Sequence, residues 1–173
     1  MWYNDGGEMD IKKLVLTAVL AGLALIIFVV EAQMPPIWIP GIKLGLANVV
    51  TLAAILFGGY VMGAEVLVIR IILGAVFCGT LMSFAFSLAG GIFAYAAMCI
   101  ALRLLDKKQI WVASVFGATA HSLGQLCVAA AAIENVNVFI LLPLMLIASI
   151  ITGVFTGLCA QYLWFGPLKK FRL

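Results

Sequence analysis

Arg70 and His121 have the clearest chemical potential in this sequence, because each lies near the middle of an apolar stretch long enough to cross a bilayer. An ionisable side chain at the bilayer centre costs at least ~2.5 kcal/mol on the lenient insertion scale, and such residues face a bundle interior far more often than lipid. A guanidinium binds carboxylate or phosphate through two parallel N–H groups, and an imidazole donates a hydrogen bond or carries a proton. Gln125 stands one turn beyond His121 on the same helix face. Asn48 falls about a turn inside the end of an expected second span, with Lys43 at its mouth and Ser83 on the fourth. At a rise of ~1.5 Å per residue, Arg70 and His121 share a layer about 15 Å deep. Lys43, Asn48, Arg70, Ser83, His121 and Gln125 therefore predict a substrate-binding pocket in the outer half of the bundle. The competing reading pairs Arg70 with Glu65 and leaves His121 and Gln125 to knit helices together. Five residues is a poor spacing for that same-helix pair.

The elements that must position these groups are membrane helices. Of 173 residues, 66% are hydrophobic and only 10% charged, with a mean hydropathy of +1.25. The expected fold class is all-α, a polytopic membrane protein with six transmembrane helices at about 11–31, 43–58, 60–79, 81–105, 110–133 and 137–165. Residues 11–173 form one domain behind a polar N-terminal tail, 1–10. The first eight residues, MWYNDGGE, read either as a start-site misassignment ahead of Met9 or as an expression remnant. The first span reads as uncleaved, with five more apolar segments behind it. Eight of the ten Lys and Arg residues (Lys12, Lys13, Arg103, Lys107, Lys108, Lys169, Lys170 and Arg172) fall on one side of a six-span chain. By the positive-inside rule both termini are expected in the cytoplasm. The EAQMPPIWIPGIK segment cannot continue a helix through Pro35, Pro36 and Pro40. It reads as an interfacial anchor or as a lid over the pocket. Trp164 is expected in an interfacial stretch at the end of the last span.

The net charge of +3 is not gathered into a nucleic-acid-binding patch. The four cysteines, Cys78, Cys99, Cys127 and Cys159, sit inside apolar segments without CxxC spacing, as buried small apolar side chains do. Small residues repeat on the first span, Thr17 with Ala21 and Ala18 with Gly22, a pattern that lets helices approach closely within the bundle or against a second membrane subunit.

The stretch IPGIKLGLANVVTLAAILFGG at 39–59, with RIILG at 70–74, GTLMSFAFSLAGG at 79–91 and AHSLGQL at 120–126, resembles the Gx transporter family, often labelled heptaprenyl diphosphate synthase component I. Ser122 stands where that family commonly carries Asn. The resemblance implies a bundle similar to the S components of energy-coupling factor transporters, which capture a small ligand at the outer face of a bacterial or archaeal cytoplasmic membrane. The implied partners are the lipid bilayer, a shared transmembrane coupling subunit docking at Ala18 and Gly22, and ATPases, with no resident cofactor. The alternative implied by relatives is the membrane subunit of a flavin- and quinone-linked electron-transfer system beside a flavoprotein. There the pocket would take a quinone, or Cys78 and Cys127 would help hold an iron–sulfur cluster. The synthase label implies clustered carboxylates for magnesium and diphosphate, whereas Asp5, Asp10 and Asp106 are scattered. Catalysis by this chain is not expected.

Overall fold

The computed structural model describes residues 10–33, 43–78, 80–106 and 109–166, with the side chain of Cys78 outside them. In chain order its helices are α1 (Ile11–Gln33), α2 (Asn48–Cys78), α3 (Leu81–Leu104), α4 (Ile110–Ile133) and α5 (Leu142–Phe165), the last entered through a 3-10 turn at Val136–Leu141. The described residues are helical or irregular, without strands. Local chemistry sets several boundaries. Asp10 Oδ1 accepts from Lys13 N at 3.2 Å and Thr80 Oγ1 from Ser83 N at 3.2 Å, each satisfying a backbone donor in a first helical turn. Glu134 ends α4 in the left-handed region at φ 52, and Asn135 Oδ1 accepts from Asn137 N at 2.9 Å in the turn that follows.

Among the described residues five helical segments, not the expected six, are long and apolar enough to cross a membrane. The exception is the 43–58 span. Its helix starts only at Asn48, because 43–45 are irregular and 46–47 form a turn. Helix geometry then breaks at Gly59, with φ 84 and ψ 176, a combination open essentially to glycine alone. The chain turns back there. A Cβ on Gly63 would lie 3.4 Å from the backbone nitrogen of Ile55, whereas an unbroken helix would hold residues eight apart at about 12 Å. The 48–58 arm is therefore about 16 Å long, against a hydrocarbon core of about 30 Å.

This short arm is the centre of the molecule. Val50, Leu52, Ala53, Ala54, Ile55 and Phe57 are all buried. One side packs with Leu20, Ala24, Met62 and Val66, and the other with Ala94, Met98, Ile110, Ala160 and Trp164. Trp164, expected at the interface, is instead buried, its ring 5.6 Å from that of Phe57. The outer helices bury small residues inward and leave apolar stripes outside. Val15, Val19, Ile26 and Val30 on α1, and Ile147, Ile151, Phe155 and Leu158 on α5, are exposed, as surfaces facing hydrocarbon must be. Pairs of hydroxyls join α4 to α5: Ser114 with Thr156 at 3.0 Å, and Ser122 with Ser149.

Candidate functional site

The site is built around the five residues 43–47 that precede the short arm. Non-helical backbone at membrane depth is tolerated only where protein satisfies its N–H and C=O groups; α1 and α4 do so here, and α3 holds the Lys43 side chain. From α1, Glu31 Oε1 accepts from Gly45 N at 2.6 Å and from Leu46 N at 3.4 Å. From α4, Gln125 sits with its amide nitrogen donating to Lys43 O at 2.9 Å while its oxygen accepts from Lys43 N at 3.2 Å. From α3, Ser83 Oγ accepts from Lys43 Nζ at 3.2 Å. The same ammonium lies 3.3 Å over the ring of Phe28, a cation–π contact. Gly45 has φ 78, a conformation that glycine adopts without steric cost. The segment is a strap pinned between α1, α3 and α4.

His121 lies against this strap. Its Nε2 donates to the Gln125 amide oxygen at 3.2 Å. The ring fills the space between two glycines: a Cβ at Gly45 would sit 2.8 Å from His121 Cδ2, and one at Gly90 would sit 2.7 Å from Nδ1. Asn48 reaches the same place, its Nδ2 2.9 Å from that Cβ position of Gly45. Arg70 is next to this cluster, with Nη2 3.4 Å from the Cβ position of Gly91, the residue after Gly90. Lys43, Asn48, Arg70, His121 and Gln125 are thus neighbours. Ser83 joins them only through the Lys43 ammonium.

Arg70 is 2% exposed. Its Nε and Nη2 have no hydrogen-bond partner among the described residues, and neither do Asn48 Nδ2, Asn48 Oδ1 or Thr51 Oγ1. Thr51 follows Asn48 by one helical turn on the same face. Glu65 is not the partner of Arg70; Glu31 is the acid near enough for its charge to act on the guanidinium, and the described residues contain no ion pair between the two. Glu31 is the functional residue that sequence reasoning misses. Standing at the end of the first span, it reads as the start of a loop, and only its burial at 6% exposure marks it as interior.

The remaining expectations divide. Ala18 and Gly22 are exposed on the outside of α1, whereas Thr17 and Ala21 face inward. Cys127 is exposed on α4, turned away from His121 and Gln125, and the Cys78 side chain lies outside the described residues. Among the described residues no three His, Cys, Asp or Glu side chains converge as metal ligands would. The expected lid, with Pro35, Pro36, Trp38 and Pro40, also lies outside them. The family described as heptaprenyl diphosphate synthase component I matches residues 20–163, which covers the strap and every residue of the cluster. No curated protein and no solved structure matches the chain.

Proposed function

Because this chain belongs to the heptaprenyl diphosphate synthase component I family, we propose that it is the membrane-embedded substrate-binding subunit of an energy-coupling factor type uptake transporter for a small anionic ligand. The observation that carries this reading is the buried Arg70 guanidinium with two donors unsatisfied among the described residues. Unpaired buried polar groups cost ~1–3 kcal/mol each, more when charged, and a ligand anion would remove that cost on binding. Lys43 and Gln125 hold the strap, His121 braces it, and Arg70 and Asn48 contact the ligand. No catalytic step is assigned to the chain.

The sequence has no GxxxxGK[ST] phosphate loop, so partner ATPases supply the energy, acting through a coupling subunit in the same membrane. The exposed face of α1 at Ala18 and Gly22 is where that subunit docks, since small residues allow close backbone approach. Both termini lie in the cytoplasm of the bacterial or archaeal cell, which requires the buried strap and the 48–58 arm together to complete a second crossing. Gentle extraction of the native protein, followed by mass spectrometry of its companions, tests the proposal. ATPases with a shared membrane subunit are the expected companions. A flavoprotein or quinone oxidoreductase in their place would overturn it in favour of electron transfer.

A further inference from the structure

We infer that the site takes a small organic monocarboxylate bearing a second, uncharged hydrogen-bonding group, and that it rejects diphosphates. This rests on the ligand-binding reading above and narrows it to a chemical class.

Charge sets the first limit. Among the described residues the buried charged side chains are Glu31, Lys43 and Arg70. Counting His121 as the neutral imidazole, two cations against one anion leave a single positive charge in excess. A monoanion neutralises the interior. A diphosphate would bury further negative charge with nothing to pair it, and an uncompensated buried charge costs several kcal/mol.

Geometry sets the second limit. Nε and Nη2, the Arg70 donors without a partner among the described residues, form one edge of the planar guanidinium and point the same way. That edge matches the two oxygens of a carboxylate. The guanidinium is flanked by Leu67 and Ile71, whose methyl groups lie with it around Gly91, so the anion binds with little competition from water. Asn48 then offers a donor and an acceptor, and Thr51 a hydroxyl, all three without partners among the described residues. A purely aliphatic acid would leave them unsatisfied, whereas a hydroxyl or amide beside the carboxylate would engage them.

The test uses the full chain in lipid nanodiscs, with the thermal unfolding midpoint read by tryptophan fluorescence. Lactate, acetate, lactamide and inorganic pyrophosphate are the probes. At about ten times its half-saturating concentration, lactate is expected to raise the midpoint by about 3 °C. Acetate should do less at the same concentration, and lactamide and pyrophosphate nothing. Arg70→Gln should abolish the lactate shift. Arg70→Lys, which keeps the charge and loses the two-pronged edge, should weaken it and guards against a misfolded Gln variant. Asn48→Ala should reduce lactate to the level of acetate. A larger shift with pyrophosphate than with lactate would overturn the monocarboxylate class and leave an anion-binding subunit standing. Equal shifts with lactate and lactamide would overturn the carboxylate contact. If no probe separates the native chain from both Arg70 variants, the ligand-binding reading falls as well.

Discussion

Glu31 illustrates how much a single acceptor can hold in a bilayer. Its carboxylate takes the N–H groups of Gly45 and Leu46, neither of which can turn to water inside the bundle. Replacing it by Leu puts an apolar side chain there but orphans both donors and removes the negative charge that acts on Arg70. Glu31→Leu is expected to destabilise the protein by about 3 kcal/mol or more, read as a lower unfolding midpoint in nanodiscs. An unchanged midpoint would mean that the strap is held by Gln125 alone. Its neighbours His121 and Gln125 are legible as interior groups because an imidazole and an amide one turn apart rarely face lipid together. Glu31 is not, because a carboxylate at the edge of an apolar run reads equally well as the first residue of a loop.

At the scale of elements, α2 departs most from its sequence. Gly58-Gly59 reads as a break between two spans, and the break is there, but the first of the two segments is only an arm inside the bundle. Hydrophobicity could not reveal this, since a helix buried in protein and a helix buried in lipid draw on the same residues. The reversal depends on the backbone of Gly59, where φ is 84 and an added Cβ would meet nothing within 4 Å. Gly59→Ala therefore produces no clash and isolates the backbone cost, with an expected loss of about 1–3 kcal/mol. A midpoint equal to that of the native chain would show that the turn adopts another conformation at no cost. The 3-10 turn at Val136–Leu141 likewise replaces the expected first turns of the last span. The other boundaries come close: the span expected at 110–133 matches Ile110–Ile133, and that at 81–105 matches Leu81–Leu104.

For the whole molecule, the question is which surface meets lipid and which meets protein. Ala18 and Gly22 interrupt the larger side chains exposed on α1, and a Cβ at Gly22 would meet nothing within 4 Å. Gly22→Leu should thus leave the stability of the isolated chain within about 0.5 kcal/mol while blocking close approach of a second subunit. Loss of the copurifying membrane partner with an unchanged midpoint is the expected result; retention of the partner would move the docking face elsewhere. By itself the sequence determined the solvent, the helical class, most helix limits and the inward turn of Arg70, His121 and Gln125. All of these follow from local apolarity and from the cost of leaving a polar group in hydrocarbon. Tertiary structure alone decided that residues 43–47 pass through the interior, that Glu31 rather than Glu65 is the acid near Arg70, and that a short arm forms the core. Those outcomes depend on side chains far apart in the chain satisfying one another's hydrogen bonds, and no local pattern records which distant partner an isolated donor will find.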